Sequence, residues 1–246
     1  MDIETIRKEA EAQWKRINTQ FGQLDVGKMA FLHDKNVQLI GAFTFGLVLG
    51  LAIPKVRAPF QRFSTVEEIP NFMFQEQRKI RAKAISVSDG DTLRVRHLPF
   101  LRGPGNMDGK LSETTMQIRL CAIDTPETPK FGNQGQPFGD EAKEYLTKIL
   151  GDRKLMLTLL QKDQYARAVC LVEYGWGPFK KDASEELLKA GLANVYRQTG
   201  AVYGGKQSVY DKLEERAKNQ KLKMWSQGDK FETTSEYKAR IRSEKS

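Results

Sequence analysis

Apolar positions recur along this chain with three different periods, and each period predicts a different kind of element. Between residues 1 and 35, Ile3, Ile6, Ala10, Trp14, Ile17, Phe21 and Leu24 fall three or four apart with Lys, Arg and Glu between them, the spacing of an amphipathic helix. Such a helix lies on a membrane or pairs with a partner helix. Its acids Asp2, Glu4, Glu9 and Glu11 argue against a matrix-targeting presequence, which is acid-poor. From Asn36 to Pro54 there is no charge at all, over a length close to the roughly 20 residues that cross a bilayer as a helix. We expect one transmembrane anchor at 36–54. A cleaved signal peptide would start earlier and have a shorter apolar run, and a buried soluble helix would show a polar face. Lys55, Arg57 and Arg62 follow closely, which places the C-terminal domain on the cytosolic or matrix side. Ala42, Gly46 and Gly50 fall four apart, a small-residue stripe through which two such helices could pack as a homodimer. Residues 55–76 carry Pro59 and Pro70 and no sustained period, and read as a linker.

From residue 77 the period becomes that of strands. KIRAKAISV and TLRVRHL flank SDGD, where Asp89-Gly90 signals a hairpin turn. A glycine-rich excursion follows at about 99–113, then the strand TMQIRLCAI. DEAKEYLTKIL puts Ala142, Tyr145, Leu146, Ile149 and Leu150 on one helical face. KLMLTLL and AVCLVEYG read as a further strand pair, and two more helices are expected near 183–190 and 207–221, the second with Ser208 as its cap. The sum is a small closed five-stranded β-barrel with about three helices over 77–226. The charged residues 227–246 read as a frayed tail.

Lys and Arg number 40 against 31 for Asp and Glu, a net charge of +9, which favours an anionic partner such as nucleic acid or acidic lipid. The two cysteines, Cys121 and Cys170, each sit in an apolar run, so buried free thiols are expected rather than a disulfide framework or a zinc site.

The strand pattern gathers charge at strand ends. Asp89 and Asp91 fall in the first hairpin, Arg119, Asp124 and Glu127 in RLCAIDTPE, and Arg167 at the third strand pair. A core strand has no use for such a mixture, and Pro126 stops it because proline has no amide to donate. Two carboxylates and a strand-end carbonyl make a hard oxygen site suited to Ca²⁺, and two arginines can grip one phosphate through forked donors. A further glutamate could orient or deprotonate water. This is the equipment for hydrolysing a phosphodiester.

The ordered set DGDT at 89–92, RLCAIDTPE at 119–127, DQYAR at 163–167, GLA at 191–193 and KLKMW at 221–225 resembles the staphylococcal nuclease family over about residues 79–226. A membrane helix placed before such a domain is similar to the membrane-anchored probable endonucleases of fungi, which suggests a mitochondrial membrane. The resemblance implies an OB-fold barrel with three helices and a Ca²⁺ cofactor. It implies that Asp91 and Asp124 hold Ca²⁺ together with the Thr125 carbonyl, that Arg119 and Arg167 are the catalytic arginines, and that Glu127 is the general base. Tyr165 is implied as a phosphate or base contact, and Tyr196 and Tyr203 as looser matches to other nucleotide-facing tyrosines. The chain departs from the family at Ala166, where a glycine is common, and at Gln164, which replaces a phosphate-holding lysine. The expected activity is hydrolysis of DNA or RNA with little sequence preference. The alternatives are a non-catalytic membrane-tethered OB module that binds nucleic acid or protein, and a membrane scaffold whose residues 1–35 recruit a partner.

Overall fold

The chain divides into two compact units, 1–57 and 58–246. A computed structural model describes residues 60–103, 105, 108–129 and 134–244, with Lys8, Ala12 and Gly46 as isolated helical positions. The expected amphipathic helix at 1–35, the anchor at 36–54 and the stripe through Ala42 and Gly50 otherwise lie outside the described residues. Among the described residues no helix is long and apolar enough to cross a membrane.

In chain order the second unit holds α1 (Asn71–Gln75), β1 (Lys79–Asp89), β2 (Thr92–His97), α2 (Leu111–Thr114), β3 (Met116–Leu120), β4 (Ile123–Asp124) and α3 (Gly139–Leu150). There follow β5 (Lys154–Lys162), β6 (Ala168–Tyr174), β7 (Lys181–Asp182), α4 (Ala183–Lys189), β8 (Asn194–Val195), α5 (Gln207–Asn219) and α6 (Thr234–Glu244). Strand alternation builds the barrel: Ile80, Ala82 and Ala84 of β1, Met116, Ile118 and Leu120 of β3, and Leu155, Leu157 and Leu159 of β5 are buried. The sheet runs β3-β2-β1-β5-β6, and a parallel pairing of β3 with β6 closes it. Closure leaves these five strands without a free edge, the device of an OB barrel. β6 is buried at nearly every position because its outer face is covered by α4. Cys121 and Cys170 are buried free thiols, and burial pushes Cys121 up to about 12.

Five local expectations are corrected. The run expected as one strand through Ile123 breaks at Ala122, which takes φ +67°, so that Ile123 and Asp124 leave the barrel and pair with β8. The hairpin loop is Gly90-Asp91, since Asp89 pairs with Thr92. Gly90 is there for space: a Cβ would lie 2.5 Å from Thr125 Oγ1 and 2.9 Å from Ala142 Cβ. Ser208 lies inside α5, whose N-cap is Lys206. The segment expected as a linker is packed over its described part, with Phe63, Val66, Ile69, Met73 and Phe74 in the core. The tail is folded: a 3₁₀ segment at Lys223–Lys230 is followed by α6, whose Tyr237 is buried.

Candidate active site

Register alone brings most of the charged strand ends together. Arg119 pairs with Thr92 on β2 and with Val169 on β6. Asp91 directly precedes Thr92, and Arg167 stands two residues before Val169, so Arg119 and Arg167 project from the same face. Asp124 joins them only because of the kink. On a continuous strand, residues 119 and 124 would face opposite ways, and the left-handed turn at Ala122 returns Asp124 to the guanidinium.

Arg119 lies at the centre. One of its terminal nitrogens, Nη1, donates to Asp91 Oδ2, and Nη2 donates to Asp124 Oδ1 at 2.7 Å and to the Ile123 carbonyl at 3.2 Å. Burial works against its charge, but Asp91 and then Asp124 more than offset it and hold Arg119 above its usual range. Asp124 is held above the ordinary carboxylate range by its burial and by the neighbouring charge of Asp91, against the pull of Arg119. The Thr92 hydroxyl donates to Asp91 Oδ1 at 2.7 Å.

Arg167 is aimed by its own turn. Asp163 Oδ1 accepts from the amides of Tyr165 and Arg167 at 2.8 and 2.9 Å, and Asp163 Oδ2 accepts from Arg167 Nε at 2.6 Å. Ala166 completes the turn at φ +58°, so the turn keeps a glycine-like shape without the glycine. The Arg167 guanidinium packs on the Tyr165 ring at 5.3 Å, and Tyr165 is 68% exposed.

Glu127 sits on the loop after β4. Its amide donates to Gln136 Oε1 at 3.1 Å and its carbonyl accepts from the Gln136 amide at 2.8 Å. Two glycines crowd that carbonyl: a Cβ at Gly139 would lie 2.3 Å from it and one at Gly135 2.9 Å. The Glu127 carboxylate is bound through Oε1 by Lys238 Nζ at 2.6 Å.

These groups line a single open groove of about 880 Å³ that includes Asp91, Asp124, Arg119, Glu127, Arg167 and Tyr165. Thr125 is the exception among the expected site residues. It is buried beneath the groove, and its carbonyl accepts a hydrogen bond from Thr234 Oγ1 at 2.8 Å. Tyr196 lines the groove beside Arg119, whereas Tyr203 supports it from behind by donating to the Tyr196 carbonyl at 2.9 Å. Gln164 lines the groove, and none of the described residues of the 99–113 excursion does.

Among the described residues no group of three or more His, Cys, Asp or Glu side chains could hold a metal ion. Asp91, Asp124 and the Thr125 carbonyl are a smaller set, with two such side chains and one backbone oxygen. Its donors are hard oxygens, and two buried carboxylates share one guanidinium, so the pair carries more negative charge than Arg119 neutralises. That donor set fits Ca²⁺. Sequence reasoning missed Asp163, Gln136 and Lys238. The signal for the last was Thr233-Thr-Ser-Glu236, a capping box that announces a helix.

Comparison with known proteins agrees with this geometry. The sequence model of the family described as staphylococcal nuclease homologue matches residues 117–227. "Endonuclease Htp3" of Saprolegnia parasitica is 54% identical over 200 residues, covering 81% of this chain and 94% of that protein. "Probable endonuclease lcl3" of Schizosaccharomyces japonicus is 36% identical over 204 residues, covering 75% of this chain and 88% of the relative. "Probable endonuclease LCL3" of Yarrowia lipolytica is 36% identical over 190 residues, covering 73% and 83%.

Proposed function

This chain belongs to the staphylococcal nuclease family and is a nuclease, and on that premise we propose that it is a membrane-anchored, Ca²⁺-dependent endonuclease that hydrolyses phosphodiester bonds of DNA or RNA. The observation that carries the reading is one guanidinium, Arg119, holding both aspartates in a groove that a second arginine, a glutamate and an exposed tyrosine also line. Bound by Asp91, Asp124 and the Thr125 carbonyl, Ca²⁺ would neutralise charge on the non-bridging phosphate oxygens.

The rest follows from the chain's own residues. Glu127 takes the proton of an attacking water as the water oxygen bonds to phosphorus and one bridging P–O bond breaks; the leaving oxygen takes its proton from solvent. Arg119 and Arg167 donate to the phosphate oxygens, where negative charge accumulates in the five-coordinate transition state. Tyr165 stacks on a base or contacts a phosphate at the groove mouth. The uncharged run 36–54 supports the membrane tether, at a mitochondrial membrane by likeness to fungal probable endonucleases. Resistance of the protein to alkaline carbonate extraction tests the tether.

The deciding experiment takes full-length protein with single- and double-stranded DNA and with RNA, in Ca²⁺ or chelator. A chain starting at residue 77 would lack Phe63, Val66, Ile69, Met73 and Phe74 of the core and is unsuitable. Glu127→Gln and Arg167→Lys are expected to lower single-turnover cleavage by on the order of 10²–10⁴ while equilibrium binding changes little. Asp91→Ala is expected to lose Ca²⁺ binding in calorimetry as well as cleavage. Binding losses in proportion to activity would make the groove a binding surface only, and unaltered Ca²⁺ affinity in Asp91→Ala would refute the ligand set.

A further inference from the structure

The family match ends at residue 227, and α6 begins at Thr234. Yet α6 and the segment leading into it touch the groove's chemistry at three points within seven residues. The Glu232 carbonyl accepts from Gln136 Nε2 at 2.9 Å, and Gln136 clamps both the amide and the carbonyl of Glu127. Thr234 Oγ1 donates to the Thr125 carbonyl at 2.8 Å. Lys238 Nζ holds Glu127 Oε1 at 2.6 Å. All three ties land on the loop between 125 and 136, the loop that carries the base.

One face of α6 forms groove wall. Ser235, Lys238, Ala239 and Arg242 line the cavity, the i, i+3, i+4, i+7 set of a single helical stripe. The opposite anchorage is firm: Thr234 is 2% exposed and Tyr237 6%. A strap built to leave would not bury an aromatic ring to seat itself, since removing such a ring from water stabilises the docked position. Lys238 Nζ meets Glu127 Oε1 while the lysine side chain stays 55% exposed, so the contact lies toward the open side of the groove. A glutamate on a loop has three side-chain torsions to fix before it can meet a water with useful geometry.

We propose that α6 is a working wall of the active site, in which Lys238 is a positioning residue that fixes the Glu127 carboxylate and Thr234 seats the loop that carries it. The proposal rests on the nuclease reading, and wild-type cleavage alone decides that reading; the ratio of variant to wild type decides the role of Lys238. The measurement is kcat and KM of the full chain for one DNA substrate in Ca²⁺, with thermal unfolding run alongside. Because a base misplaced by about 1 Å can cost about 10²-fold, Lys238→Met is expected to lower kcat by about 10- to 100-fold with KM and unfolding midpoint little changed. Lys238→Arg, which keeps a cation within reach of the carboxylate, is expected to restore most of that loss. Thr234→Ser, which keeps the hydroxyl, is expected to retain kcat where Thr234→Val lowers it. An unchanged kcat in Lys238→Met overturns the proposal. So does a rise in kcat, which would make α6 a strap that hides the base, and so does a loss confined to KM, which would make Lys238 a phosphate contact.

Discussion

Replacing Gly139 by alanine tests whether the position of Glu127 matters as much as its chemistry. Gly139 opens α3, and an alanine there would ordinarily favour the helix by up to about 1 kcal/mol. Space opposes it. The added Cβ would stand 2.3 Å from the Glu127 carbonyl oxygen and 2.7 Å from its carbonyl carbon, whereas real Cβ contacts essentially never fall under 3.0 Å. The neighbour is backbone and cannot swing aside, so the Glu127 loop must move by roughly 0.7 Å, a shift that overpacking studies associate with about 1–3 kcal/mol of lost stability. That exceeds the helix gain, and the fold survives it at 25 °C if its stability is of the usual 5–15 kcal/mol, about the range for a native domain. The catalytic cost is larger in proportion. A displacement approaching 1 Å at a base is worth about 10²-fold, so Gly139→Ala is expected to lower single-turnover cleavage by about 10- to 100-fold although no reacting group has changed. Gly103, with nothing within 4 Å of its added Cβ and no left-handed φ, supplies the control substitution. Cleavage at the wild-type rate in folded Gly139→Ala, with the midpoint measured by urea unfolding, would refute the claim that the glycine cradle fixes Glu127.

Ala166 holds φ +58°, which costs an L-residue about 1–2 kcal/mol against glycine, partly offset by about 0.5–1 kcal/mol of extra chain entropy. Ala166→Gly is therefore expected to raise stability by about 0.5–1 kcal/mol in urea unfolding; a loss of that size would show that Asp163 does not hold the turn as described. His97 is buried, stacks on Phe63 at 5.0 Å and accepts from the Phe63 amide at 3.2 Å through Nδ1. Burial, then the charges of Arg62 and Arg81, lower it from 6.5 to about 4, so the fold prefers the neutral ring. Its contribution is whole above pH 6.5 and is lost as pH falls toward 4, a difference of about 3 kcal/mol at most. Unfolding free energy of wild type should therefore decline across that window more steeply than that of His97→Asn, and parallel curves would exclude His97 as the cause. Arg119→Met strands two buried carboxylates and is expected to cost about 3–5 kcal/mol, whereas Arg167→Met, whose partner lies in the same turn, is expected to cost far less. Equal costs by urea unfolding would contradict that ranking.

Which parts of this molecule were legible in the sequence follows from where burial leaves a period and where charge interrupts it. Barrel strands and α3 to α5 could be read because burial on one face leaves a period, and the charged groups stood out because they interrupt that period at strand ends. What could not be read was the kink. Ala122 stands between Cys121 and Ile123, both buried, in a run with every mark of one strand, and its φ of +67° costs about 1–2 kcal/mol that no local preference repays. The return comes from residues far off in sequence: β8, which takes up Ile123 and Asp124, and Asp91, which needs Arg119 and tolerates Asp124 only across a shared guanidinium. Residues 63–74 and 233–238 failed for a different reason, since each did carry a signal. Phe63, Val66, Ile69 and Met73 fall three or four apart, and Thr233 with Glu236 forms a capping box, but Pro70 and a high density of charge made both segments look like connectors. The first segment is half apolar and is held in the core, whereas between 233 and 238 Tyr237 is the one large apolar side chain, enough burial to keep the segment in place. In the second case that modest burial sets Lys238 against Glu127, so a segment that reads as a tail from its composition forms one wall of the groove.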